Sequence, residues 1–338
     1  MKRSFSPAWW LPGPHTQTMW GKFFRKQKIK DTRVERLKTP DDDFIIVHHI
    51  DAPDGAPVLV LLHGLEGSVR SHYIQGLLGE ARKRGWRAAV LVFRSCGDEL
   101  NLARRSYHSG ETTDLAFVLD HLFRSFPVSP FVLTGVSLGG NVLLKYLGEQ
   151  GSRISSRIKA ATAVSVPYDL ARSSNFINQG FARVYEWNFL RSLRAKAFAK
   201  LEQFPDLFDQ EHFSGARSMF DFDENFTAPV HGFEGALDYY RKSSSLNWLG
   251  TISIKTLLLS AIDDPFLPPE VLDDVREKAR HNPNLELEFT PHGGHVGFVG
   301  GHTPFSPVYY LEHRVSEFLA TELALSSSRS TPTEISDE

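Results

Sequence analysis

Three side chains far apart in the chain have the types and settings to move a proton and form a covalent intermediate: Ser137, Asp264 and His295. Ser137 is the centre of Gly135-Val136-Ser137-Leu138-Gly139, directly behind the apolar run Phe131-Val132-Leu133 and ahead of a helical pattern. A serine at such a strand-to-helix turn sits on strained backbone, its hydroxyl exposed over a helix N-terminus whose amides can take up negative charge. Glycines are needed on both sides because side chains two residues away would strike the strand or the helix. The pentapeptide alone is a weak signal. A serine nucleophile also needs a base for its proton and an acid to orient that base, and in this setting they follow in the order Ser, Asp or Glu, His.

Both partners stand where strand ends are expected. Asp264 follows the apolar run 256–260, and His295 lies in Pro291-His292-Gly293-Gly294-His295-Val296-Gly297, just after the run 285–289. Asp263 competes for the acid role; Asp264 is favoured because Pro265 fixes the turn after it, which leaves Asp263 to stabilise the turn. Among His292, His295 and His302, the glycines around His295 allow a tight loop and close approach. The run 58–62 enters His63-Gly64-Leu65-Glu66-Gly67-Ser68. In serine hydrolases built this way that turn gives one oxyanion-binding amide and the residue after the nucleophile gives the other, which nominates Leu65 and Leu138. His63 reads as a brace for the loop. Asp264, His292, His295 and His302 could serve as metal ligands, but no His-x-x-x-His helix or cysteine pair accompanies them, so no metal is expected. Residues 135–140 lack the Lys-Ser/Thr ending of a phosphate loop. Cys96 has no turn of this kind around it and reads as a loop residue.

These side chains need a rim to meet on. From about residue 31 to 167, apolar runs at 44–49, 58–62, 88–93, 131–135 and 160–166 alternate with amphipathic segments, as in a mainly parallel sheet flanked by helices. One such segment begins at Glu111 and carries Leu115, Val118, Leu119 and Leu122 on one face. Loops at the C-terminal edge of a parallel sheet are where such folds bind ligands. Residues 168 to about 250 break the alternation with many aromatics, no strand pattern and helical stretches that read as short. This segment is expected to be a helical cap insertion; additional helical core is the plainer alternative. The alternation then resumes, with a helix over about 269–279 and a final helix carrying Leu311, Val315, Phe318 and Leu319. The expected organisation is an irregular N-terminal arm over 1–30, one domain over 31–325 and a disordered tail over 326–338.

Composition narrows the classes. Hydrophobic residues make up 41% and charged residues 23% of the 338, the formal net charge is −2, and nucleic acid is not expected as a partner. One cysteine excludes an internal disulfide. Neither a secretory signal nor an apolar span of membrane length is seen, so a soluble cytoplasmic protein without an integral membrane segment is expected. Trp9 and Trp10 with the basic patch over 22–30 suit either fastening of the arm to the domain or peripheral contact with a membrane surface.

Several longer stretches carry a family likeness: Pro14-His15-Thr16-Gln17-Thr18, His63 to Ser68, Tyr107-His108-Ser109-Gly110-Glu111-Thr112, Ser137-Leu138-Gly139-Gly140-Asn141, Asp263-Asp264-Pro265-Phe266, Gly232-Phe233 with Tyr239-Tyr240, and His292 to Phe298. On these the chain resembles an α/β-hydrolase, and more narrowly the YheT-like bacterial hydrolases, relatives of the ABHD lipases and the yeast medium-chain ester synthases. The resemblance covers nearly the whole length and places the family's serine, acid and histidine on Ser137, Asp264 and His295. It implies the α/β-hydrolase fold and hydrolysis of small-molecule acyl esters, short- to medium-chain or lipid-derived, with no metal or organic cofactor. Transfer of the acyl group to an alcohol and non-catalytic binding of an apolar ligand are the alternatives. One departure stands out: Ser95 occupies a position where the family has glycine.

Overall fold

Runs of Val, Leu, Ile and Ala alternate with amphipathic segments, and the computed structural model, which describes residues 5–25 and 28–328, folds them into an eight-stranded sheet covered on both faces. The chain passes through α1 (Pro14–Phe24), β1 (Arg33–Lys38), β2 (Phe44–Ile50), β3 (Val58–Leu62), α2 (His72–Lys83), β4 (Arg87–Val92), α3 (Thr113–Ser125), β5 (Phe131–Val136), α4 (Leu138–Gln150) and β6 (Ile158–Val164). A helical segment follows: α5 (Leu170–Ile177), α6 (Arg183–Gln203), α7 (Gln210–Ser214), α8 (Met219–Phe222), α9 (Ala228–His231) and α10 (Ala236–Ser243). The sheet resumes with β7 (Lys255–Ala261), α11 (Glu270–Arg280) and β8 (Leu285–Thr290); a two-stranded ribbon, β9 (Val299–Gly300) with β10 (Val308–Tyr309), precedes α12 (Tyr310–Ser328).

The strand order is β1-β2-β4-β3-β5-β6-β7-β8. From β4 to β8 every neighbouring pair is parallel, while β2 runs antiparallel to both of its neighbours. Side chains on a strand point alternately to opposite faces. In β3 that sends Val58, Val60 and Leu62 into a core under α3, α4 and α11, and Leu59 and Leu61 into a second core under α2 and α12. Burial on both faces is why these strands read as continuous apolar runs. Because β5, β7 and β8 are parallel, the turns after them open along one edge, and those turns carry Ser137, Asp264 and His295.

Four local expectations need correction. β1 has no apolar run because it is an edge strand, with four of its six residues exposed. The arm is not irregular throughout: α1 begins at Pro14, and a proline is tolerated in the first helical turn, where its missing N–H has no partner to lose. Helix α6, at 21 residues, is not short; its buried side includes Glu186 and Lys200 beside Leu190, Leu193 and Ala197, which hides the apolar stripe. Finally, α12 continues to Ser328, past the expected start of the tail; residues 329–338 of that tail lie outside the described residues. Among the described residues no helix is long and apolar enough to cross a membrane.

Candidate active site

The turn between β5 and α4 holds Ser137 at φ 54° and ψ −126°, a sparsely populated backbone region that persists only where its surroundings enforce it. Close approach does the enforcing. A Cβ at Gly135 would lie 2.4 Å from the Gly139 carbonyl oxygen, and one at Gly139 would lie 2.5 Å and 2.6 Å from the carbonyl oxygens of His63 and Leu62. The Ser137 N–H donates to the Val164 carbonyl (2.8 Å), which ties the turn to the neighbouring strand.

His295 Nε2 stands 3.0 Å from Ser137 Oγ, and its Nδ1 stands 2.9 Å and 3.1 Å from the two carboxylate oxygens of Asp264. Asp264 is buried, and its Oδ1 also accepts the Phe266 N–H at 2.8 Å. The Phe266 ring stacks on the imidazole, centroids 4.1 Å apart. The three side chains nominated from the sequence are therefore in one hydrogen-bonded line. Asp263 points elsewhere: it accepts the Gly294 N–H at 2.9 Å and pairs with the exposed His292 at 3.2 Å, bracing the loop that carries His295.

That loop has a second support, which the sequence reading did not foresee. The His295 N–H donates to Thr18 Oγ1 (2.9 Å), and buried Gln17 binds Val299 twice, its amide N–H donating to the carbonyl (3.0 Å) and its oxygen accepting the N–H (2.8 Å). A Cβ at Gly294 would sit 2.4 Å from the Pro14 carbonyl oxygen, so α1 and the loop touch backbone to backbone. The stretch 14–18 was singled out only through its resemblance; nothing in its spacing marks it as a clamp on a loop about 280 residues away.

Two amides beside Ser137 are unoccupied among the described residues, those of Leu65 and Leu138. Gly64 N–H donates to Tyr73 Oη, and Glu66 N–H donates to Tyr107 Oη, whereas among the described residues the Leu65 and Leu138 N–H groups have no hydrogen-bond partner. Both residues line the same cavity as Ser137. A Cβ at Gly64 would meet Ser137 Cβ at 3.0 Å, which places this turn against the serine. His63 is fully buried; its Nε2 accepts the Phe93 N–H and its Nδ1 donates to the Gly64 carbonyl, while burial pushes its pKa down to about 4, so the ring is a neutral brace. The turn is also held from α6. Glu66 accepts from Tyr107 (2.7 Å), Lys196 (2.7 Å) and Ser192.

A cavity of about 130 Å³ opens on Ser137 and His295, walled largely by apolar and aromatic side chains such as Leu170, Phe189, Leu193, Phe222 and Phe266. A broader cleft reaches the same two residues from the side of α1 and the 64–71 turn. Residues 107–109 serve two purposes: all three line the cavity, and Tyr107 also fastens the Glu66 turn. Both tryptophans fasten the arm: Trp10 donates to the Gly301 carbonyl and packs on Trp20, and Trp9, though 78% exposed, donates to the His302 carbonyl at 3.0 Å. Cys96 is buried, which pushes its thiol up to about 12 and removes it as a nucleophile at neutral pH. Ser95 sits at φ 62°, which a glycine would adopt without strain, and its hydroxyl bonds the Asn101 side chain at 2.6 Å.

Comparison with known proteins bears on the fold. A family model described as alpha/beta hydrolase fold matches residues 57–301. The chain is 38% identical to YheT of Escherichia coli (strain K12), provisionally named an esterase, over 96% of this chain and 95% of that protein. It is 29% identical to human phospholipase ABHD3 over 90% of this chain and 76% of that one. Against a Saccharomyces cerevisiae monoacylglycerol lipase it is 31% identical over 77% of this chain and 58% of that one. Among solved structures, the Pyrococcus furiosus esterase Pf2001 shares the fold with a TM-score of 0.58, at 20% identity over 86% of this chain and 91% of that one.

Proposed function

Because this chain belongs to the alpha/beta hydrolase family, we propose that it is a serine-dependent carboxylic ester hydrolase acting on short- to medium-chain or lipid-derived acyl esters. The observation that carries the proposal is the line Ser137 Oγ, His295 Nε2, His295 Nδ1, Asp264 at 3.0 Å and 2.9 Å. In the proposed cycle His295 removes the Ser137 proton as Oγ attacks the ester carbonyl. Asp264 holds the imidazole in the tautomer with hydrogen on Nδ1 and stabilises the imidazolium that forms. The carbonyl oxygen becomes an oxyanion and accepts hydrogen bonds from the Leu65 and Leu138 amides. His295 then protonates the leaving alcohol, and water activated by the same ring frees the acid. The helical segment over 168–250 acts as a cap: it walls the cavity that takes the acyl chain, and the broader cleft admits the alcohol part.

Labelling with a fluorophosphonate together with hydrolysis of p-nitrophenyl esters tests this reading. The wild type is expected to do both and Ser137→Ala neither. Retained hydrolysis in that variant would end the proposal.

A second feature supports contact with a membrane surface. Trp9, Phe23 and Phe24 are exposed, and Lys22, Lys28 and Lys30 are exposed nearby in the chain, the aromatic and basic pairing that suits an anionic interface. Binding to anionic but not to neutral liposomes is the expected result of co-sedimentation; equal absence from both pellets would refute it.

A further inference from the structure

The cavity over Ser137 is not uniformly apolar. Asp223 lines it although it opens a π-helical turn (Asp223–Thr227), a rare form of backbone that recurs at functional sites. Its carboxylate accepts from Thr227 Oγ1 (2.6 Å) and from Tyr240 Oη (2.7 Å), and Tyr240 Oη also meets Ser174 Oγ at 3.0 Å. A carboxylate has about four acceptor positions, so two are unfilled. Among the described residues no cation pairs with it, and burial pushes its carboxyl up to about 6. Ser173, the chain neighbour of Ser174, lines the same cavity; the residue is 7% exposed, and among the described residues its buried hydroxyl makes no hydrogen bond. A buried donor left unpaired is unusual. One cavity thus holds an idle hydroxyl, which can give one hydrogen bond, and a carboxylate able to accept more.

We infer that Asp223 and Ser173, with Tyr240 and Ser174 behind them, form a polar subsite in the acyl cavity that selects esters whose acyl chain carries a hydroxyl group. A substrate hydroxyl is both donor and acceptor: its O–H goes to Asp223, and its lone pair receives the Ser173 O–H. An ammonium group would fill the carboxylate but leave Ser173 idle, and a plain alkyl chain would leave both unmet. An engineered cavity of about 150 Å³ holds one benzene, so this one suits about six heavy atoms. The inference rests on the ester hydrolase reading, since that reading puts the acyl group in this cavity.

The test compares kcat/KM for the ethyl esters of hexanoate, of hexanoates hydroxylated at each carbon from the third to the sixth, and of 6-aminohexanoate. Hydrolysis of plain ethyl hexanoate, lost in Ser137→Ala, checks the hydrolase reading by itself. At one or more positions the hydroxylated ester is expected to exceed the plain one by about 10- to 100-fold, the range for a hydrogen bond to a charged group. That ratio should fall toward one in Ser173→Ala and in Asp223→Asn, with the change in KM for the hydroxylated ester. Folding of each variant is checked by its thermal transition, and Ser173→Ala removes one atom, so it reports even if Asp223→Asn is too unstable to assay. A wild type that hydrolyses all of these esters equally, prefers the amino ester, or keeps its preference in Ser173→Ala overturns the subsite while leaving the hydrolase reading intact.

Discussion

Replacing Asp264 by asparagine tests the proton path without changing its shape. Asp264 Oδ1 accepts the Phe266 N–H at 2.8 Å, so an asparagine there must turn its carbonyl oxygen to that amide. Its NH₂ group then occupies the place of Oδ2, 2.9 Å from His295 Nδ1, and donates to it. A ring whose Nδ1 accepts must carry its hydrogen on Nε2, the atom 3.0 Å from Ser137 Oγ, and it can no longer take the serine proton. The same change in Ser-His-Asp hydrolases costs about 10⁴ in kcat, or roughly 5 kcal/mol of transition-state stabilisation. Steady-state hydrolysis of p-nitrophenyl butyrate measures it, with KM expected to change little because no group lining the cavity is altered. Asp263→Asn is the internal control. It keeps an oxygen for the Gly294 amide and loses only an exposed pair with His292, so less than a tenfold loss is expected. Near wild-type kcat in Asp264→Asn, or equal losses in the two variants, would refute the assignment of the acid.

Two further outcomes are expected. Gln17→Ala leaves the buried Val299 N–H without its partner, while the Val299 carbonyl keeps the Ala8 N–H (2.9 Å); a destabilisation of about 1–3 kcal/mol readable in urea unfolding is expected, and an unchanged midpoint would show that α1 does not clamp the loop. Burial raises the Asp223 carboxyl from its ordinary 3.8 to about 6, so its contribution to stability is fully present below pH 3.8 and is lost as pH rises through about 6. Asp223→Asn has no such term, so the unfolding free energy of the variant relative to wild type should rise by roughly 3 kcal/mol between pH 3.5 and 7.5; a difference flat with pH would be contrary to this.

What could be read from the sequence follows from how each piece is buried. Strands β3, β5 and β7 are covered on both faces, so they announce themselves as apolar runs, and the glycines at 135 and 139 mark a turn where backbones touch. The order serine, acid, histidine came from the strand-to-helix serine turn, and strand ends along one edge located Asp264 and His295. The choice of Asp264 over Asp263 rested on a proline; in the structure Asp264 lies 2.9 Å from His295 Nδ1, and Asp263 accepts the Gly294 amide instead. Less was legible where polar groups are buried. Lys200 donates to the Asn101 carbonyl at 2.8 Å and Glu186 accepts the Met219 N–H at 2.8 Å, so the inner side of α6 carries charged residue types and has no clean stripe. Asp223 sits among phenylalanines and looks like a surface position until α10 and α5 close over it.

The glycines at 64, 135 and 139 also fix a distance. Their missing side chains let the β3 turn, the serine and the first turn of α4 rest directly on one another, so the gap between Ser137 and the Leu65 and Leu138 amides is set by main chain alone. Residues farther along the cavity wall take no part in that spacing. Under the proposed function, descendants of this sequence can therefore exchange wall residues, and with them the acyl groups accepted, while Ser137 and these amides keep their spacing.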